Sequence, residues 1–128
     1  MLIVDDNEDA ANMLAEAMKF YGYQTVVVYG GEEALDAIDL TAPDAAIFDL
    51  GMPGMSGMEL AKRLRATRGG GDLLLIALTG WGRQEAGAAS EAAGFDFYFV
   101  KPADPGALSA LIDEEAFRRR VAGRFESG

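Results

Sequence analysis

The chain is 128 residues long and 50% apolar, with a formal net charge of −10 and neither cysteine nor histidine. That size suits one domain with a real core, no apolar run nears the ~18 residues of a membrane span, and no secretory signal pattern opens the chain. Thiolate and imidazole chemistry, disulfides and His-zinc sites are excluded, any metal must sit on oxygen ligands such as suit Mg²⁺, Ca²⁺ or Mn²⁺, and the acidity argues against nucleic acid as the main partner.

Met1-Leu2-Ile3-Val4 is a short apolar run ending in Asp5-Asp6-Asn7, read as strand one. Asn7 is a good N-cap, Glu8 and Asp9 suit a first helical turn, and Ala11, Leu14, Ala15 and Met18 recur at helical spacing. Helix one therefore runs to about Tyr21, where Gly22 ends it. Gln24 to Tyr29 is β-branched and predicts strand two; Gly30-Gly31 is a turn; Glu32 to Leu40 predicts helix two, broken by Ala42-Pro43-Asp44.

Ala45 to Phe48 predicts a buried strand three that delivers Asp49 at its carboxyl end, followed at once by Leu50-Gly51-Met52-Pro53. Ser56 and Glu59 have capping-box spacing, and Leu60, Ala61 and Leu64 form the apolar stripe of helix three. Met52, Met55 and Met58 read as packing residues or a partner surface. After Gly69-Gly70-Gly71, Leu73 to Leu78 predicts a central strand four with Thr79-Gly80-Trp81-Gly82 as its loop. Arg83 to Ala93 predicts an Ala-rich helix four closed by Gly94. Phe97 to Val100 is strand five, Lys101-Pro102 ends it, and Asp104-Pro105 opens helix five with Ala107, Leu108, Leu111 and Ile112 facing in. The expected division is a folded unit over 1–117, with 118–128 as the end of helix five and a tail.

Five β-α units imply a doubly wound α/β fold with a parallel sheet and right-handed crossovers. In the flavodoxin-like order 2-1-3-4-5, strands one and three are neighbours, and the ligand edge lies beyond their carboxyl ends. Polar residues break the apolar pattern at that edge: Asp5-Asp6, Asp49, Thr79 and Lys101. Crowded carboxylates push one another toward the protonated form, so something cationic must offset them. Mg²⁺ suits such a cluster, Lys101 supplies a compact ammonium, and Thr79 supplies a hydroxyl. Acids, a lysine and a hydroxyl around one carboxylate describe phosphoryl transfer to that carboxylate.

Four motifs stand in order: Val4-Asp5-Asp6-Asn7, Phe48-Asp49-Leu50-Gly51-Met52-Pro53-Gly54-Met55, Ala77-Leu78-Thr79-Gly80 and Val100-Lys101-Pro102. Over essentially its whole length the sequence resembles a response-regulator receiver domain of bacterial two-component signalling. The resemblance implies that Asp49 is the phosphoacceptor. It implies that Asp5, Asp6, Asp49 and the Gly51 carbonyl hold Mg²⁺, that Thr79 and Lys101 bind the phosphoryl group, and that Tyr98 is the switch aromatic. It also implies a cis Lys101-Pro102 peptide, a cytoplasmic location, self-dephosphorylation, no nucleic-acid or membrane binding, and a histidine kinase or histidine phosphotransfer protein as donor. A fused kinase or output domain would lie outside this chain. The Thr79-Gly80-Trp81-Gly82 phrase resembles receivers attached to hybrid sensor kinases.

Plainer readings stand beside these. Asp5-Asp6-Asn7 alone is a helix cap, Thr79 a turn hydroxyl, Lys101 a surface lysine and Tyr98 a static edge aromatic, since strand residues alternate faces and Phe97, Tyr98 and Phe99 cannot all be core. Trp81 reads as a packing or partner contact, and Arg118-Arg119-Arg120 with Arg124 as cations near a helix end or a patch for an acidic partner. Rival functions are a phosphatase of the haloacid-dehalogenase kind, which needs an Asp where Gly51 stands; a flavin or nucleotide carrier, for which Asp5-Asp6-Asn7 has the wrong charge; and an interaction module with an idle site.

Overall fold

The computed structural model describes residues 1–52, 55–67, 73–80 and 93–127. Parallel strands β1 (Leu2–Val4), β2 (Val26–Val28), β3 (Ala45–Asp49), β4 (Leu74–Thr79) and β5 (Phe97–Val100) form one sheet in the order 2-1-3-4-5. Helices α1 (Glu8–Phe20), α2 (Gly31–Thr41), α3 (Gly57–Thr67) and a C-terminal helix (Pro105–Ser127) are packed around it. The expected helix over residues 83–93 lies outside the described residues except at its last position, as do Trp81, Pro53 and the Gly69-Gly70-Gly71 loop.

The sheet alternates faces with period two, and each face has its own core. Leu2, Val4, Phe48 and Leu75 point to α2 and α3, where Ala34, Leu60 and Leu64 meet them. Ile47, Leu74, Ile76 and Leu78 point the other way, to Met18 of α1 and to Leu108 and Ile112 of the C-terminal helix. Ile3 packs with Ala11 and Ala15 of α1. Contrary to the expectation that they cannot all be core, the three β5 aromatics each pack against a core, because the sheet is covered on both faces: Phe97 and Phe99 join the C-terminal helix face, and Tyr98 joins the α3 face.

Caps and turns follow local chemistry. The Asn7 side chain accepts the Ala10 N–H at 3.1 Å and starts α1. Gly22, at φ +97°, turns the chain out of it. Ser56 Oγ accepts the Glu59 N–H at 3.2 Å at the start of α3, while the Glu59 carboxylate reaches Arg63 at 3.4 Å. The predicted boundaries shift in places. Strand two keeps only Val26–Val28, because β1 gives it three partners, Leu2, Ile3 and Val4. Gly31 is the first residue of α2 and not a turn. Asp49 is the last residue of β3, at the strand end where it was expected, while Thr79, expected in the loop, is the last residue of β4 and inside the ladder. The C-terminal helix runs on to Ser127, so Arg118 and Arg119 lie within it, paired with Glu114 and Glu115.

The amino-terminal edge of the sheet is tied by Arg65. Its guanidinium donates to the Gly94 carbonyl at 2.9 Å, the Leu73 carbonyl at 3.0 Å and Asp96 Oδ2 at 3.0 Å. Asp96 Oδ2 also accepts the Leu75 N–H at 2.9 Å, and Arg119 of the C-terminal helix stands 3.6 Å from it. One side chain thus joins α3 to the entrances of β4 and β5. At the opposite edge Gly57 is indispensable: a Cβ there would stand 2.5 Å from the Asp49 carbonyl oxygen, a backbone atom that cannot swing aside.

Arg65→Ala is expected to lower the unfolding free energy by about 2 kcal/mol, since it strips charge-assisted bonds from partly buried groups. The exposed Arg63→Ala should cost under about 0.5 kcal/mol, and urea unfolding monitored by circular dichroism separates the two. Gly57→Ala should cost about 1–3 kcal/mol by overpacking, read in the same experiment.

Candidate functional site

The sheet register brings the polar strand ends together. Val4 pairs with Phe48, so the next residues, Asp5 and Asp49, stand side by side. Asp49 pairs with Leu78, which puts Thr79 one step further along, and Thr79 pairs with Val100, which puts Lys101 next. The Lys101 N–H donates to the Thr79 carbonyl at 2.7 Å and extends the ladder by one bond. A cis Lys101-Pro102 peptide follows.

Side chains then converge. Lys101 Nζ lies 3.2 Å from Asp5 Oδ2 and 3.1 Å from Asp49 Oδ1. Asp5, Asp6 and Asp49 each offer a carboxylate oxygen within 4.8 Å of the others. Asp5, Asp49 and Thr79 are buried and Asp6 is exposed, so the cluster has a sealed floor and an open mouth. Main-chain donors trim its charge: the Asn7 N–H reaches Asp5 Oδ1 at 3.0 Å, and the Gly51 N–H reaches Asp49 Oδ1 at 3.2 Å.

The electrostatics carry the cost of this crowding. Burial first, and Asp49's charge after it, push the Asp5 carboxyl above its ordinary 3.8, against the pull of the Asn7 N–H and Lys101. Burial draws the Lys101 ammonium down, but Asp49 and then Asp5 outweigh it and raise its pKa above 10.5. Lys101 is therefore charged at neutral pH. Three carboxylates against one ammonium leave a surplus of negative charge with oxygen donors only, and that donor set fits a hard divalent cation such as Mg²⁺.

Asp5, Asp6, Asp49 and Lys101 thus meet in one pocket, with Thr79 at its wall. Gly51 borders it: its N–H holds Asp49, and a Cβ at this position would come 3.9 Å from Asp49 Oδ1, so glycine leaves that side uncovered. Tyr98 lies apart from the cluster, half-buried against the α3-side core. Two contributors were not foreseen in the sequence. Asn7 was expected only to cap α1, yet its backbone also binds Asp5. Gly57 was not singled out, although a glycine in the first turn of a helix, where it is a poor former, is a signal of close backbone approach.

Comparison with known proteins agrees with this fold. The family described as the response regulator receiver domain matches residues 1–113. The response regulator MprA of Mycobacterium tuberculosis is 36% identical over 102 residues, which are 80% of this chain and 44% of that protein, so the chain spans less than half of MprA. A CheY-like response regulator receiver domain protein of Methanospirillum hungatei superposes with a TM-score of 0.83 at 30% identity, covering 94% of this chain and 95% of that one. The signal receiver domain of a signal transduction histidine kinase of Syntrophus aciditrophicus has a TM-score of 0.78 at 31% identity, covering 88% of this chain and 86% of that one. With strands ordered 2-1-3-4-5 and an acid-lysine pocket at their carboxyl ends, the chain belongs to the response regulator receiver domain family, the phosphoacceptor modules of two-component signalling.

Proposed function

We propose that this receiver takes a phosphoryl group on Asp49 from a partner's phosphohistidine and uses it to change a protein-binding face. The observation that carries the reading is the Lys101 ammonium lying between buried Asp5 and buried Asp49. In the transfer, an Asp49 carboxylate oxygen forms a P–O bond as the P–N bond of the donor breaks. The electron pair goes to the departing imidazole, which takes up a proton. Lys101 and Thr79 would hold phosphoryl oxygens and offset their charge. Bound by Asp5, Asp6, Asp49 and the Gly51 carbonyl, Mg²⁺ would supply the remaining charge neutralisation. Water would later hydrolyse the acyl phosphate, so the chain is an acceptor and not a turnover enzyme.

The donor must be a histidine kinase or a histidine phosphotransfer protein in trans, or another part of a longer protein, because this chain has no histidine. A cleft of about 560 Å³ beside the acceptor supports such docking: Asp5 and Lys101 stand at its polar end, and Met13, Leu14 and Pro102 give it an apolar wall. On the output side, Tyr98 would follow Lys101 and Thr79 as they close on the phosphoryl group, repacking β5, the C-terminal helix and the residue 83–93 segment. We place the receiver unit at 1–117: among the residues whose side chains are described the last buried core residue is Ile112, the family match ends at 113, and the helix itself continues to Ser127. Among the described residues no helix is long and apolar enough to cross a membrane.

Incubation with Mg²⁺ and a small acyl phosphate should add one phosphoryl mass to the wild type and none to Asp49→Asn. An unchanged wild-type mass would overturn the assignment. A second outcome concerns charge. Unfolding releases Asp5 to its ordinary 3.8, so its ionisation costs the metal-free protein stability as pH rises above that value. Asp5→Asn should therefore melt above the wild type at pH 7 in EDTA. Saturating Mg²⁺, at a hundred times its Kd, should add about 2.7 kcal/mol to the wild type and little to Asp5→Asn, so the order of the two melting temperatures reverses.

A further inference from the structure

We infer that Asn7 is a positioning residue for the cation site, orienting Asp5 through the helix cap that it forms. The inference rests on the Mg²⁺ reading given above. Both oxygens of the Asp5 carboxylate are held: Oδ1 by the Asn7 N–H at 3.0 Å and Oδ2 by Lys101 Nζ at 3.2 Å. The Asn7 side chain is engaged with the helix. Its Oδ1 accepts the Ala10 N–H at 3.1 Å, and its carbonyl accepts the Ala11 N–H at 3.0 Å. Those two bonds fix Asn7 in an extended conformation, φ −80° and ψ 101°, while the next residue enters the helix. In that conformation the Asn7 N–H points back to Asp5.

One residue therefore faces two ways. Its side chain satisfies an orphan donor of α1, and its main chain fixes the plane of a buried carboxylate two residues earlier. Any residue at position 7 except proline offers an N–H; only a capping side chain locks the turn that aims it. A ligand already oriented gives up little rotational freedom on taking a cation, and groups that orient a metal ligand typically govern affinity by 10–100-fold.

Titration of the intact chain with MgCl₂ in a calorimeter at pH 7 tests this, with wild type, Asn7→Ala, Asn7→Ser and Asp5→Asn compared. Circular dichroism at the titration temperature establishes that each variant is folded, and the Mg²⁺-dependent rise in Tm gives a second readout. Asn7→Ala is expected to weaken Mg²⁺ roughly tenfold, at the low end of that range. Asn7→Ser, which also caps, should stay within about twofold of the wild type. Asn7→Ala binding Mg²⁺ as the wild type does, with only its melting temperature lowered, would overturn the inference, because the cap would then serve the helix alone. Asn7→Ser weakening as much as Asn7→Ala would overturn it too, since capping would not be the cause. Should the wild type take up no Mg²⁺, or Asp5→Asn bind it undiminished, the Mg²⁺ reading itself fails and the inference falls with it.

Discussion

A single ammonium group, 3.1 Å from Asp49 and 3.2 Å from Asp5, is what lets two buried carboxylates share one pocket. Buried charges are tolerated only when paired and hydrogen-bonded, and here the pairing is incomplete. Three carboxylates against one ammonium leave the pocket short of positive charge, and burial holds the Asp5 carboxyl above its ordinary value. A pocket neutralised in full by its own residues would have no electrostatic reason to take a divalent cation.

The backbone does much of the supporting work. Four strands contribute one or two polar residues each, and the parallel register sets their stagger without help from side chains. Main-chain donors from Asn7 and Gly51 hold the two buried acids. Behind them, Gly57 lets the start of α3 press on the Asp49 backbone more closely than any side chain would allow. The site sits at the carboxyl ends of the strands. This is the arrangement expected where charge must be held in place before the ligand arrives.

Much of this was legible in the sequence because strand ends announce themselves. A carboxylate after Ala45-Ala46-Ile47-Phe48 and a lysine after Phe97-Tyr98-Phe99-Val100 break apolar runs that have no internal reason to stop there. Alternating elements and right-handed crossovers implied a parallel doubly wound sheet, and the order 2-1-3-4-5 came with the flavodoxin-like fold. What could not be read were interactions between residues remote in sequence. The Arg65 tie to Gly94 and Asp96 spans about thirty residues and has no local signature. The division of the β5 aromatics between two cores needed the partners on either face. Boundaries slipped where pairing overrode propensity: Gln24 and Thr25 look like strand but lie before the β1 ladder, where Met1 bonds across, and Thr79 looks like loop but completes the β4 ladder against Val100. The Arg118-Arg119 pair, legible as a helix end by composition, lies mid-helix because Glu114 and Glu115 one turn earlier receive it.

The edge strand β5 is fastened at both ends by ions. Asp96 just before it is gripped by Arg65 and approached by Arg119, and Lys101 just after it is gripped by Asp5 and Asp49. Ion pairs at both ends of this four-residue strand resist its sliding along β4, so a pull at one end favours torsion about the strand axis. Tyr98 lies within the strand, where such a twist would turn the ring against its bed. Tightening at the carboxylate end would thereby be delivered as angle, not as displacement, to whatever rests on that edge.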